Sequence, residues 1–141
     1  MTGRPPAAGI VTALMVTTAA GTLAYWIGFF AAGNTLHSSE TDAYVAFEHA
    51  FLAADAWLSI AAIATAVGLV RRRASAVAAG IATGSALVYL GLLDVLFDVE
   101  QGIYLRPSGA MAAEVVINVF CLAVGPFCLV WFWRYRDRLG V

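Results

Sequence analysis

Four apolar stretches, each long enough to cross a hydrocarbon core of about 30 Å as a helix, fill most of this 141-residue chain. They run over Ala8–Ala32, Val45–Val70, Ala76–Phe97 and Met111–Trp133. In lipid every backbone N–H and C=O must be paired within the chain, so each stretch is confined to a helix. Composition agrees: 62% of residues are hydrophobic, 12% are charged, and mean hydropathy is +0.84. Soluble domains carry roughly 45–50% and 25%, and a soluble domain this small has no core large enough to hide the difference. The sequence predicts an all-α integral membrane protein, a single domain folded as a compact bundle of four transmembrane helices, with the lipid bilayer as its main solvent.

The polar punctuation sets the connectivity. "RRRAS" between the second and third spans is so short that those helices must run antiparallel. The first stretch carries an early Arg and small residues, as a secretory leader does. Its apolar run of about 24 residues nevertheless exceeds the 7–15 of a leader's core, so it is expected to be a span.

Every basic side chain is an arginine. Arg4 precedes the first span, Arg71, Arg72 and Arg73 follow the second, and Arg134, Arg136 and Arg138 follow the fourth. Only Arg106 falls on the other side. The positive-inside rule then places both termini and the central link in the cytoplasm, with Trp131, Trp133 and Tyr135 as an aromatic belt at the inner interface. Arginine without lysine, with abundant alanine, suggests a GC-rich bacterial genome, and hence a multi-pass protein of the inner (plasma) membrane.

Helical spacing assigns one stripe of small or polar residues to each span. The first has Thr18, Thr22, Tyr25 and Phe29, and the second Glu48, Leu52, Asp55, Ser59 and Ala62. The third has Gly80, Gly84, Leu87, Gly91, Asp94 and Asp98, and the fourth Glu114, Asn118, Cys121, Gly125 and Cys128. Lipid gives apolar surfaces no reason to associate, so small residues mark where helices approach closely. The stripes are expected to face one another; use of some of them in a homodimer is the alternative.

Acids concentrate at the opposite end from the arginines. A rise of about 1.5 Å per residue puts Asp55 near the midplane, about 15 Å down its span, with Asn118 about 10 Å down. Glu48, Asp94 and Glu114 lie about 5 Å down and Asp98 at the rim. An ionised carboxylate at mid-bilayer costs about 2.5–3.5 kcal/mol on insertion scales, which makes such residues functional candidates. The expected site is a carboxylate-lined pocket of Tyr25, Glu48, Asp55, Asp94, Asp98, Glu114 and Asn118, open to the extracytoplasmic side. The competing reading of Asp55 is a neutral strut that hydrogen-bonds Asn118, Ser59 or Tyr25. Carboxylates converging from three helices repel unless protons or a cation neutralise them, and His49, the one other titratable nitrogen within a span, points off the stripe.

Oxygen ligands suit hard ions, but no metal-binding loop or H-x-x-x-H pair is present, and a b-type haem lacks a second in-span histidine. No cofactor is expected. The two cysteines, seven apart in one apolar run, are expected to be free and buried. Net charge is −1, and no basic–aromatic run suggests nucleic acid. The leading functional expectation is binding, with transport as an extension, of a cation or basic small molecule. One alternative is a membrane isomerase with Asp55 as acid and Glu48 or Asp94 as its partner carboxylate on a lipophilic substrate. The other is an accessory subunit without chemistry of its own.

Overall fold

The computed structural model describes residues 5–32 and 42–139; Arg4, His37 and Glu40 lie outside them. The described chain is all-helical: α1 (Ala8–Ala32), α2 (Asp42–Val70), α3 (Ser75–Gln101) and α4 (Gly109–Tyr135), with short 3-10 turns at Ile103–Leu105 and Arg136–Leu139. All four long helices are apolar enough over sufficient length to cross a membrane.

Helix ends depart from the apolar stretches for local reasons. The third helix runs past Phe97 to Gln101, because Asp98 and Glu100 are compatible with helix although they end the apolar run. It stops at Gly102, whose φ of 64° is left-handed and whose N–H bonds the carbonyls of Asp98 and Val99, a glycine C-cap. The fourth begins earlier than Met111 because Ser108 caps it, its hydroxyl accepting from the Met111 N–H at 3.0 Å. Between α2 and α3 the chain reverses through Arg72 at φ 52°, and the Arg73 N–H closes the turn on the Gly68 carbonyl at 2.8 Å.

α1 packs along α2, α2 along α3, and α3 along α4. The α3–α4 seam is built on glycine. A methyl group on Gly84 would sit 2.9 Å from the Gly125 carbonyl oxygen, and one on Gly91 2.9 Å from Cys121 Cβ. Gly80 lies flat against the Phe132 ring. The G-x-x-x-G pair of α3 is therefore spent within the chain, against α4. On α2 the expected stripe is corrected at one position: Leu52 is 41% exposed, and Phe51 turns inward instead.

One core fills the arginine-rich end, where Val11 and Met15 of α1 meet Ala76 of α3 and Cys128, Trp131 and Phe132 of α4. Trp131 donates its indole N–H to the Pro6 carbonyl at 3.1 Å and is only 5% exposed. It belongs to the core and not to an aromatic belt. Trp133 is exposed, with the Arg136 guanidinium 4.5 Å above its ring. Towards the other end α1 and α4 draw apart, so the ring of helices is left open on that side. Both cysteines are free and buried.

Candidate functional site

Where α1 and α4 part, the bundle encloses a cavity of about 270 Å³ walled by all four helices. Six of the seven residues expected from the sequence line it: Tyr25, Glu48, Asp55, Asp94, Glu114 and Asn118. Asp98 does not. It is buried, 1% exposed, so its expected position at the rim is corrected. The extra helical turn after Phe97 and the folded-back Ile103–Leu105 segment cover it.

Two of the carboxylates are held by aromatic donors from α1. Tyr25 donates its hydroxyl to Glu48 Oε2 at 2.7 Å, and Trp26 donates its indole N–H to Asp55 Oδ2 at 2.9 Å. The donor that Asp55 takes thus comes from α1, from a residue outside the expected stripes. Trp26 lies one residue off the polar stripe of α1, which hid it. The available signal was general: a buried indole N–H seeks an acceptor, and the facing stripe of α2 carries two carboxylates. The rings of Tyr25, Trp26, Phe29 and Phe30 stack along α1. His49 packs on Phe29 and Phe30 at 5.9 and 6.3 Å, away from the cavity.

A second polar group stands behind the opposite wall. Asn118 donates its amide to Asp98 Oδ2 at 3.2 Å and to the Tyr104 hydroxyl at 3.1 Å. Burial first, and the neighbouring Asp98 carboxylate second, push the Tyr104 phenol up to about 12. Asn118 is 4% exposed, and its side-chain carbonyl, on the residue that lines the cavity, has no hydrogen-bond partner among the described residues. Tyr104 was not foreseen, because its segment reads as a loop. Only the left-handed Gly102 turns it back over α4.

The rest of the wall is apolar in effect. Thr18 and Thr22 of α1 spend their hydroxyls on the carbonyls of Leu14 and Thr18 at 2.9 Å, and so show methyl groups inward. Phe51, Leu58, Leu87 and Leu90 complete it. Four carboxylates therefore look into one small apolar chamber. A sphere of 270 Å³ is about 8 Å across, and at an effective dielectric of about 20 two unit charges at that distance repel by roughly 2 kcal/mol. Mutual repulsion of this size favours a positive partner among them. Arg71, Arg72 and Arg73 sit at the far end of the bundle, and Arg106 is exposed. Among the described residues no three histidine, cysteine, aspartate or glutamate side chains are placed to hold a metal ion.

Set against protein-family models, curated proteins and solved structures, the chain matches none.

Proposed function

We propose that the cavity binds a cation, and specifically a basic organic molecule. The observation that carries this reading is the lining itself: Glu48, Asp55, Asp94 and Glu114 line one chamber together with Asn118, whose buried side-chain carbonyl has no partner among the described residues. All are hydrogen-bond acceptors when the acids are ionised, and an ammonium group supplies up to three donors and one charge. Carboxylates spread over three helices suit such a group better than a metal ion, which needs its ligands gathered within about 2.0–2.6 Å of one point. Tyr25 and Trp26 fix two of the acids in place by occupying one oxygen of each.

In the same reading the protein is a multi-pass protein of a bacterial inner membrane with both termini cytoplasmic, on the distribution of its arginines. The acidic cavity then lies in the outer half of the bilayer. The isomerase reading draws on the same geometry, since Asp55 and Glu48 face an apolar chamber suited to a lipophilic substrate; turnover rather than binding alone distinguishes it.

Thermal unfolding of the purified protein in detergent tests the proposal, with wild type beside Asp55→Asn and Asp94→Asn, across pH 5–8 and a panel of amines and divalent ions. A ligand present at 100 times its Kd stabilises the folded state by about 2.7 kcal/mol. The expected result is an amine that raises the wild-type melting temperature and fails with both variants. If no amine or ion moves the wild type while Asp55→Asn is as stable or more so, the carboxylates are packing polarity and the proposal is wrong.

A further inference from the structure

The exposed lining of the cavity lies along the side of the bundle, between α1 and α4. α1 and α4 touch at the arginine-rich end, through Trp131 on the Pro6 carbonyl and through Val11 and Met15, and separate beyond it. The residues that line the cavity and are also exposed on the outside of the bundle lie along this gap. They are Thr17 and Gly21 on α1, and Val116 and Ile117, 68% and 39% exposed, on α4. A Cβ built on Gly21 meets nothing within 4 Å, so the α1 lip is open space. Gly21 lies about 20 Å along α1 by helical rise, near the middle of a helix long and apolar enough to cross a membrane. The slot thus opens to the hydrocarbon. At the end of the bundle nearest the acids the rings of Phe47 and Phe97 stack 3.9 Å apart and Ile103 is fully buried.

Resting on the acidic-cavity reading, we infer that the ligand is a lipophilic amine dissolved in the bilayer, entering sideways between α1 and α4. Its ammonium group sits among Glu48, Asp55, Asp94 and Glu114, and its hydrocarbon tail leaves through the slot bordered by Gly21 and Val116. Two observations choose this class. The chamber of 270 Å³ is at or below the small end of ligand pockets, about 300–1,000 Å³, so it takes a head and a few carbons but not a whole long-chain molecule. The lining is acidic and, among the described residues, carries no arginine, so a phosphate-bearing headgroup is repelled. Amine phospholipids are excluded on that ground, leaving amines without an anionic group.

The test uses the full chain in nanodiscs of a neutral phospholipid, with dodecylamine, butylamine and dodecanol as probes, and reads melting temperature against probe concentration corrected for partition into the bilayer. Wild type is compared with Asp94→Asn, Gly21→Trp and Val116→Trp; the two tryptophans fill the slot from opposite lips, each at an exposed position. The expected result is stabilisation by dodecylamine, none by dodecanol, and loss with Asp94→Asn. Both tryptophan variants, with unliganded melting temperatures near wild type, are expected to weaken dodecylamine about tenfold or more while leaving the butylamine response in place. If amines of both lengths act on wild type and on both slot variants alike, lateral entry is wrong and the acidic cavity stands. If neither amine acts on wild type, the cavity reading itself fails. Should one tryptophan variant unfold, the other decides.

Discussion

Placing one methyl group on Gly84 and, separately, on Gly21 gives opposite outcomes if the helices pack as described. At Gly84 the new Cβ would lie 2.9 Å from the Gly125 carbonyl oxygen and 3.1 Å from both Cys128 Cβ and the Leu129 nitrogen. Optimal contact is about 3.5–4.0 Å, and two of the three neighbours are backbone atoms that move only with their helix. α3 and α4 must therefore part by roughly half an ångström along their tightest line. Overpacking of this kind costs about 1–3 kcal/mol, offset by the roughly 0.8–1.0 kcal/mol by which Ala is the better helix former. Gly84→Ala is expected to lose a net of about 0–2 kcal/mol. Gly21→Ala meets no atom within 4 Å and keeps the whole propensity gain, about 0.5–1 kcal/mol. The propensity gain is common to both, so the pair should differ by the overpacking cost, about 1–3 kcal/mol. Unfolding by sodium dodecyl sulfate in mixed micelles, followed by helical circular dichroism, measures both. Equal shifts of the same sign would refute the assignment of the glycine stripe to the α3–α4 seam and of Gly21 to an open lip.

Trp26→Phe removes the donor to Asp55 Oδ2 and is expected to cost about 1–3 kcal/mol. In a double-mutant cycle with Asp55→Leu, where no acceptor remains, the cost should shrink by most of that amount. Tyr104→Phe deletes one phenol and its bond to Asn118, about 0.5–1.5 kcal/mol. Because the Tyr104 proton is held more tightly in the folded protein, up to about 12 against about 10 unfolded, this group's contribution is intact below pH 10. It is lost as pH rises from 10 through 12, and the difference in phenolate absorbance between wild type and Tyr104→Phe tracks it. Cys121 and Cys128, both buried and free, should resist a maleimide in the folded protein and react only as it unfolds.

Much of the fold was legible because lipid leaves few options. Once four apolar runs of spanning length were present, helix was the only backbone able to satisfy itself, and the "RRRAS" link fixed one hairpin. The small-residue stripes also read correctly on α3 and α4, since glycine at helical spacing has little other use in a span. Period alone misjudged Leu52, because a stripe on α2 is wide enough to drift by one residue and Phe51 is the neighbour that turned in. The acids converged as spacing implied, but depth counting from the apolar run put Asp98 at the rim. Its burial comes from an extra helical turn and from a glycine C-cap that folds Ile103 and Tyr104 back. Trp26 and Tyr104, the donors that position two polar groups, sit off the stripe or in a loop, and only tertiary structure joins them to Asp55 and Asn118. Trp131 looked interfacial by composition, and a single bond to the Pro6 carbonyl makes it core.

The central claim is that four carboxylates in one chamber hold one positive charge. Isothermal titration of dodecylamine into the protein in neutral nanodiscs, for wild type and for the variant carrying Glu48→Gln, Asp55→Asn, Asp94→Asn and Glu114→Gln together, tests it most directly. Saturable binding at one site per chain in wild type, absent in the folded quadruple variant and absent for dodecanol, is the predicted result. Equal heats from wild type and the quadruple variant would contradict it.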